Sequence, residues 1–286
     1  MIDSILRKMG IEDNIHAVSQ IPREEDGTLY NVWKVSMGGN DYILKEAKGL
    51  EAEIYAAYFS ECTDYAPKCH HSTVYGGKIY ILLEYISGEN LMRCSRSQLI
   101  LALDNLITMQ KAHWNSENSA GYCYEKALSA RKNRGNYLLE PVLEAAYARF
   151  LSKFAVVPRT LCHDDLLPFN LICDDSKVVF IDWEYGGILP YPVSLARLLA
   201  HSNENPDAFF YMLEEDKQFA VDYYYEKFIC GQGISREEYD RTVTLFFFYE
   251  FCEWVYVGNK YGETDTLRYR EYKEKALKLA NRILNS

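Results

Sequence analysis

The stretch LCHDDLLPFNLICDDSKVVFIDWEY, residues 161–185, places a histidine, several acids and an asparagine around a turn, and then puts a lone aspartate after an apolar strand. Within it, NLIC (170–173) and KVVFID (177–182) flank polar residues 174–176, a pattern that predicts a β-hairpin. The hairpin would bring Asp182 back to the loop that precedes the first strand. A solvated turn does not explain Asp182, because an unpaired carboxylate after four apolar residues is costly to bury.

These residue types suit phosphoryl transfer. That reaction needs one carboxylate beside a hydroxyl nucleophile and oxygen ligands that hold Mg²⁺ against the nucleotide phosphates. The segment HDDLLPFN (163–170) matches the kinase loop H-R-D-L-x-x-x-N except at Asp164, and Asp182 stands where the D-F-G aspartate would stand. The two segments together predict a phosphoryl-transfer site.

Size and composition indicate a well-packed protein with two lobes. The chain has 286 residues, which is near the upper limit for a single hydrophobic core. Its formal charge of -10 disfavours a nucleic-acid partner, which would need clustered Lys and Arg. Eight cysteines without a CxxC pair indicate free thiols and a cytoplasmic location.

No segment of the sequence predicts export or a membrane partner. The N-terminal MIDSILRKMG lacks the apolar region of a signal peptide. The longest apolar run, LFFFYEFCEWVYV (245–257), is interrupted by two glutamates and is shorter than the ~20 residues that span a bilayer. It predicts a buried helix.

Strand and helix signals divide the chain near residues 86–88. The first part contains a hairpin, a helix and a second hairpin that turns at two glycines, at residues 31–45, 49–62 and 70–86. These elements predict a small β-sheet lobe with one helix (1–86) and a larger, mostly helical lobe (87–286). Ser97 is the expected N-cap of the first helix of the second lobe, and we expect the ligand site in the cleft between lobes.

With these motifs, the sequence resembles the aminoglycoside phosphotransferase and choline kinase family, the small-molecule branch of the eukaryotic-like kinase fold. HDDLLPFN is similar to the family's H-G-D-x-x-x-x-N loop, with Asp164 in place of glycine, and FIDWEYGG (180–187) is similar to its I-D-W-E segment. The resemblance implies an α+β, two-lobed, protein-kinase-like fold. It also implies Mg²⁺ and a nucleoside triphosphate, ATP or GTP, as cofactors.

The resemblance assigns roles to the residues of the opening stretch. Asp165 would be the catalytic carboxylate that orients the acceptor hydroxyl or accepts its proton. Asn170 and Asp182 would bind Mg²⁺, and Glu184 would reach the same water shell or the substrate. His163 would brace the loop through hydrogen bonds.

A kinase of this family also needs a strand lysine for the phosphates and a helix glutamate that orients it. Lys45 ends the strand YILK and is the candidate lysine. Glu53 is the expected partner because of its distance from Pro67, with Glu51 as the alternative. The resemblance further implies a hinge whose backbone groups would bind the base, formed by Glu84, Tyr85 and Ile86.

Two positions depart from the family pattern. The phosphate-covering loop should lie in EEDGTLYN, which offers the single Gly27 and three acids. The family usually carries an aspartate before Leu-Ala, whereas this chain has Ser194 in YPVSLARLL. If that aspartate braces the catalytic loop, the serine would weaken the loop's support.

The helix that follows residue 243 offers candidate acceptor contacts. Glu250 and Glu253 are three residues apart and so share a face with aromatic neighbours, among them Trp254. Such a face suits a cationic substrate. Ion pairs between these glutamates and Arg or Lys of a neighbouring helix are an equal alternative.

The sequence therefore predicts a phosphotransferase that moves the γ-phosphate of a nucleoside triphosphate to a hydroxyl of a small cationic molecule, such as an aminoglycoside or a choline-like or ethanolamine-like compound. A nucleotide-binding pseudokinase that acts as an interaction module is the competing hypothesis. A protein kinase is a third possibility, but no A-P-E segment follows Asp182. The acceptor, the nucleotide base and the oligomeric state stay open.

Overall fold

The N-terminal part of the chain forms a five-stranded antiparallel sheet. The structure is a computed structural model that describes residues 1–11, 15–22, 28–61, 63–117, 120–174 and 176–285. The strand order in the sheet is β1-β2-β3-β5-β4. The strands are β1 (Ile15–Pro22), β2 (Leu29–Met37), β3 (Asn40–Glu46), β4 (Cys69–Tyr75) and β5 (Lys78–Glu84).

Both predicted hairpins of this sheet are confirmed, and glycine pairs form their turns. Gly38 and Gly39 join β2 to β3, and Gly76 and Gly77 join β4 to β5. All four glycines have positive φ angles. Two-residue turns of this kind match the twist of the flanking strands, and glycine adopts them without a steric cost.

Each face of the sheet is covered by one helix. Helix α1 (Ile2–Lys8) packs on the face that carries Leu44, and helix α2 (Glu51–Tyr58) lies on the opposite side. Because side chains alternate along a strand, Lys45 points away from α1 and lines the cleft. The expectation of a single helix in this part of the chain missed α1, which is only seven residues long.

The connection after β5 passes through a glycine that the packing requires. Gly88 has a φ of +147°, and a Cβ atom at this position would lie 2.3 Å from the carbonyl oxygen of Cys173. The chain then enters β6 (Glu89–Asn90), which pairs with β8. The proposed boundary between lobes at residues 86 and 87 stays a prediction.

The remainder of the chain is mostly helical. Its helices are α3 (Arg96–Ala112), α4 (Tyr124–Gly135), α5 (Pro141–Val156), α6 (Pro192–Ala200), α7 (Glu214–Lys227), α8 (Arg236–Tyr261) and α9 (Leu267–Asn285). The N-cap of α3 is Ser95, so the prediction of Ser97 is wrong by two residues. Ser95 and Gln98 form a reciprocal capping box, in which each side chain accepts a hydrogen bond from the other residue's backbone N–H.

Two small antiparallel sheets carry the opening stretch. One pairs β7 (Arg159–His163) with β10 (Gly186–Pro190), and the other contains β6, β8 (Leu171–Cys173) and β9 (Val178–Phe180). The predicted hairpin is confirmed, because β8 pairs with β9. It returns the chain to the end of β7.

The apolar run at 245–257 lies inside α8, whose buried residues join the main hydrophobic core. Among the helices in the described ranges, none is long and apolar enough to cross a membrane.

Candidate active site

His163 fixes the loop that follows β7. Its ring is fully buried; Nε2 lies 2.8 Å from the carbonyl oxygen of Ile181, and the N–H of Asp165 lies 3.2 Å from Nδ1. Burial lowers the pKa of His163, although the Ile181 carbonyl acts in the opposite direction. The neutral ring therefore donates from Nε2 and accepts at Nδ1, which is the bracing arrangement that the sequence predicted.

Asn170 closes the same loop. It is 3% exposed, and its Nδ2 donates to the backbone oxygen of Asp165 at 2.8 Å and approaches Asp165 Oδ2 at 3.4 Å. The backbone oxygen of Asn170 accepts from the N–H of Ile181 at 2.9 Å. This backbone bond places Asp182, the next residue, at the end of the loop.

Asp182 sits in an unusual backbone conformation. Its φ and ψ angles are 62° and 60°, the left-handed region that a non-glycine residue rarely adopts. Its Oδ1 accepts a hydrogen bond from Lys45 Nζ at 2.8 Å, and 37% of its side chain is exposed. Burial acts to raise the pKa of Asp182, but the charge of Lys45 outweighs it and the pKa is lowered. The carboxylate is thus ionised and open to the cleft.

Lys45 pairs with Glu51, not with the expected Glu53. Its Nζ donates to Glu51 Oε1 at 2.8 Å, and Glu51 is fully buried whereas Glu53 is exposed. Burial acts to lower the pKa of Lys45, but the two carboxylates outweigh it and raise that pKa. Lys45 therefore stays charged between Glu51 and Asp182.

The helical pattern of α2 explains why Glu51 is the partner. Glu51 lies three and four residues before Ile54 and Tyr55, both of which are buried, so it shares their inward face. Glu53 lies on the other face of the helix. This periodicity was present in the sequence and was the signal that the spacing argument overlooked.

The donor set of the loop fits a Mg²⁺ ion bound together with phosphates. Because Asn170 Nδ2 donates to Asp165, its Oδ1 is left as an oxygen donor, and Asn170 and Asp182 line the same cavity. Within the described ranges, no group of three or more His, Cys, Asp or Glu residues could form an all-protein metal site. Mg²⁺ commonly takes only one or two protein oxygens and completes its shell with phosphates and water.

A cavity of about 670 Å³ adjoins these residues, and Lys45, Asn170 and Asp182 all line it. Its apolar walls include Ile43, Leu83, Ile86, Phe169, Ile172 and Ile181. Of the predicted hinge residues, Tyr85 and Ile86 line the cavity, whereas the N–H of Glu84 donates to the backbone oxygen of Lys68. Of the loop predicted to cover the phosphates, Gly27 and the acids before it lie outside the described residues, whereas Tyr30 belongs to β2 and lines the cavity.

Asp164, which replaces the family's glycine, has a dedicated partner. Its Oδ1 accepts a hydrogen bond from Arg131 Nη2 at 2.6 Å. Arg131 is 1% exposed and its guanidinium lies between the rings of Phe154 and Tyr249, at 4.8 and 4.7 Å from their centroids. The buried charge of Arg131 is therefore neutralised by Asp164, a pair that no local sequence pattern predicts.

Ser194, which stands where the family usually has an aspartate, also contacts the loop. Its Oγ accepts from the N–H of His163 at 2.8 Å and donates to the backbone oxygen of His163 at 3.3 Å. A hydroxyl can do both, whereas a carboxylate can only accept. The serine thus braces the loop that the missing aspartate was expected to brace.

Glu184 lies two residues beyond Asp182, and the adjacent Tyr185 contacts Tyr122. Burial and the charge of Asp182 raise the pKa of Glu184, and its side chain is half-buried. Tyr185 is 45% exposed, and its ring meets that of Tyr122 edge to face at 5.7 Å between centroids. The sequence reasoning missed this aromatic pair because Tyr122 comes from a distant part of the chain.

Glu250 and Glu253 are held by arginines, which was the second of the two alternatives. Glu250 is 2% exposed, and its Oε2 accepts from Arg197 Nη1 at 2.9 Å. Glu253 Oε1 lies 3.1 Å from Arg134 Nη1. The expectation that Glu250 binds the substrate is therefore corrected, because its buried charge is already neutralised within the protein.

Trp254 lies between α8 and α9. The guanidinium of Arg268 is 4.4 Å from the centroid of its ring, and the ring of Tyr272 is 5.9 Å away. One face of the indole is thus covered by the protein's own cation, so the structure does not support the predicted role of Trp254 as a cation-binding wall.

Comparison with known proteins gives a family match. The sequence model of the phosphotransferase enzyme family, APH, matches residues 25–226. The chain is also 26% identical to the protein LicA of Haemophilus influenzae over 124 residues, which are 43% of this chain and 43% of LicA. The chain therefore matches less than half the length of this curated relative.

Solved structures share the fold over nearly the whole chain. A choline kinase from Cryptosporidium parvum is 14% identical with a TM-score of 0.61, and the match covers 98% of this chain and 96% of that one. The amicoumacin kinase hAmiN, in complex with AMP-PNP, Ca²⁺ and Ami, is 13% identical with a TM-score of 0.60, covering 99% and 93%. At these identities the likeness concerns the fold, and it confirms the predicted kinase-like architecture.

Proposed function

Because the chain belongs to the phosphotransferase enzyme family, we propose that it is a small-molecule kinase that moves the γ-phosphate of a Mg²⁺-bound nucleoside triphosphate to an acceptor hydroxyl. One observation carries the proposal. The lysine, the asparagine and the aspartate that would bind the nucleotide and its metal, Lys45, Asn170 and Asp182, line a single cavity. The loop of Asp165 lies directly beside it.

In the proposed reaction, the acceptor's hydroxyl oxygen attacks the γ-phosphorus and the bond to the β-γ bridging oxygen breaks. The products are a phosphate monoester and a nucleoside diphosphate. Asp165 orients the hydroxyl and accepts its proton. Lys45 would contact the phosphates, and Asn170 and Asp182 would hold Mg²⁺, which would supply positive charge beside the phosphate oxygens. Catalysis rests on position and charge.

The nucleotide base would occupy the apolar part of the cavity. Its walls near Ile86 and Phe169 suit a planar ring, and backbone groups near Glu84, Tyr85 and Ile86 would bind the edge of the base. Because the N–H of Glu84 already donates to Lys68, the remaining hinge groups would carry this recognition. Backbone recognition of this kind leaves both ATP and GTP to be tested.

The proposed acceptor is a small cation that bears a hydroxyl. Glu184 is the acid that supports this proposal, since Glu250 and Glu253 are paired with arginines. Within the described part of the chain, Glu184 makes no ion pair, and Tyr185 beside it is exposed. A carboxylate next to aromatic rings favours an amine or a quaternary ammonium group. Choline kinase, which shares the fold, acts on such a cation by its name.

The alternative of a pseudokinase loses one of its two arguments. It depended partly on Ser194 in place of a bracing aspartate, yet Ser194 holds both backbone groups of His163. The ionised Lys45 and Asp182 also keep the arrangement that transfer requires. We propose that the reaction takes place in the cytoplasm, which agrees with the free thiols of the seven described cysteines.

The test is acceptor-stimulated release of nucleoside diphosphate from ATP and from GTP with Mg²⁺, over a panel of aminoglycosides, choline, ethanolamine and hydroxylated sugars. Stimulation by cationic members of the panel, lost in Asp165→Asn, is the expected result. Asp104→Asn changes an exposed aspartate on α3 and is the matched control, which should keep full activity. Nucleotide binding without stimulation by any acceptor would support the pseudokinase, and absence of nucleotide binding would refute the kinase proposal.

A further inference from the structure

We propose that Arg197 is a positioning residue that fixes the catalytic Asp165 so that only its Oδ2 faces the acceptor hydroxyl. The proposal rests on the function proposed above and adds a residue to it. Arg197 is the single charged residue of α6, whose sequence is PVSLARLLA. A charge in an otherwise apolar, buried helix requires a partner, and here that partner is the loop of the active site.

Helix α6 holds the catalytic loop at two points. Ser194 binds the backbone of His163, and Arg197, one turn later on the same face, reaches the side chain of Asp165. The helix packs against β7, the strand that leads into the loop, and against α8. The loop is therefore attached to a rigid element both before and at the catalytic carboxylate.

The guanidinium of Arg197 grips one oxygen of Asp165. Its Nη2 and Nε donate to Oδ1 at 2.7 and 3.2 Å. The other oxygen, Oδ2, lies 3.4 Å from Asn170 Nδ2 and makes no other hydrogen bond within the described residues. Two donors on Oδ1 fix the rotation of the carboxylate, so Oδ2 is the oxygen that remains to accept a proton.

The other side of the guanidinium is held by a buried chain of hydrogen bonds. Arg197 Nη1 donates to Glu250 Oε2 at 2.9 Å, and His201 Nε2 lies 3.0 Å from the same oxygen. The hydroxyl of Tyr272 lies 2.9 Å from His201 Nδ1. A carboxylate only accepts, so His201 donates from Nε2 and Tyr272 donates to Nδ1. Residues of α8 and α9 thus fix the part of the Arg197 guanidinium that does not contact Asp165.

The position requires the planar guanidinium group of arginine, whose several N–H donors can contact two carboxylates. It reaches Asp165 and Glu250 at once, in opposite directions, whereas a lysine ammonium on a flexible stem would favour one of them. The ion pair also neutralises Glu250, which leaves its charge no role in acceptor binding. The arrangement therefore assigns Glu250 to the support of Arg197.

The test compares transfer by the wild type with transfer by Arg197→Ala/Glu250→Gln, a double variant that leaves no buried unpaired charge. We expect kcat to fall about 100-fold while KM for the nucleotide stays within about twofold, because a misplaced base slows the chemical step without changing nucleotide contacts. Methylguanidinium, which fits the space left by the Arg197 side chain, should raise the kcat of the double variant about tenfold. Arg197→Lys should retain part of the activity.

Two controls accompany the double variant. Arg241→Met removes an exposed arginine from α8 that pairs with Glu237, and it should keep the kcat of the wild type. Adding Asp165→Asn to the double variant should abolish the response to methylguanidinium, since the carboxylate that Arg197 holds is then absent.

A folded double variant with a kcat within about threefold of the wild type would overturn the role of Arg197 and leave the kinase proposal intact. A loss of both nucleotide affinity and thermal stability, with no rise in kcat on addition of methylguanidinium, would also overturn this role. Such a result would indicate a purely structural residue. If the wild type transferred phosphate neither to an acceptor nor to water, the proposed function would be refuted, and the role of Arg197 with it.

Discussion

Each of the two ion clusters of the site combines one carboxylate that is partly exposed with one that is buried. The nucleotide-side cluster consists of Lys45, Glu51 and Asp182, and the acceptor-side cluster consists of Asp165, Arg197, Glu250 and His201. In the first, Asp182 is 37% exposed and faces the cavity, whereas Glu51 is fully buried. In the second, Asp165 is 26% exposed, whereas Glu250 is 2% exposed and lies behind Arg197. Exposure, and not charge alone, separates an acid that can meet a ligand from one that supports the fold.

Asp182→Asn is expected to have the largest effect. The amide keeps the size of the side chain but removes the charge that would bind Mg²⁺, so kcat/KM should fall about 1000-fold or more. Steady-state kinetics over a series of Mg²⁺ concentrations measure the loss. The same loss at all Mg²⁺ concentrations, with unchanged metal dependence, would show that Asp182 does not bind the metal.

Glu250→Ala should be the most destabilising change in the acceptor-side cluster. It leaves Arg197 and His201 without their buried partner, which should cost about 3 to 5 kcal/mol of unfolding free energy. Urea denaturation measures it. Glu237→Ala, on the exposed side of the same helix, is the matched control and should change stability by less than about 0.5 kcal/mol. Equal effects of the two changes would show that the buried Glu250 supports the fold no more than an exposed glutamate does.

The pH dependence of stability should report the same buried pair. Burial acts to raise the pKa of Glu250, but the charge of Arg197 and the hydrogen bond from His201 outweigh it and lower the pKa from 4.5 to about 2. Because the pKa of Glu250 is lower in the folded state than in the unfolded state, this carboxylate stabilises the fold at a pH above its unfolded pKa. That stabilisation is lost as the pH falls toward the folded-state pKa. The wild type should lose about 3 kcal/mol between about pH 5 and pH 2 through this group.

Glu250→Gln is the comparison for this measurement, since it removes the titrating carboxylate and keeps the shape. Burial lowers the pKa of His201 as well, so its protonation adds a loss in the same direction as the pH falls. The difference between the two unfolding curves isolates Glu250. Parallel curves for wild type and variant would contradict the lowered pKa.

Glu51→Gln and Glu53→Gln test which glutamate of α2 is the partner of Lys45. Loss of the Glu51 charge should free Lys45 to move and lower kcat/KM about tenfold, because the lysine is no longer aimed at the phosphates. Glu53→Gln, two residues away on the exposed face of α2, should have no effect. The opposite result would restore the partner that the spacing argument favoured.

Much of the nucleotide side could be predicted because its residues are adjacent to strand ends. The pattern of β2 to β3 placed Lys45 on the cleft face, and the hairpin of β8 and β9 placed Asp182 beside Asn170. In such elements, sequence distance and spatial distance are linked by simple geometry. Glu51 could also have been found, since it continues the buried face of α2.

The ion pairs on the acceptor side could not be predicted from the sequence in the same way. Arg131 reaches Asp164 across 33 residues, and Arg197 reaches Glu250 across 53, through helices whose mutual packing the sequence pattern does not give. The two glutamates of α8 looked like ligand contacts because their partners were unknown. A charged residue on an apolar helix was the one available signal.

The sequence by itself determined the family, the kinase-like order of elements and the loop residues Asp165, Asn170 and Asp182, because short motifs and alternation act over a few residues. Only the tertiary structure decided which charges are already neutralised. Burial and pairing depend on how α4, α6 and α8 pack around the loop, and that packing brings together residues that no local pattern connects.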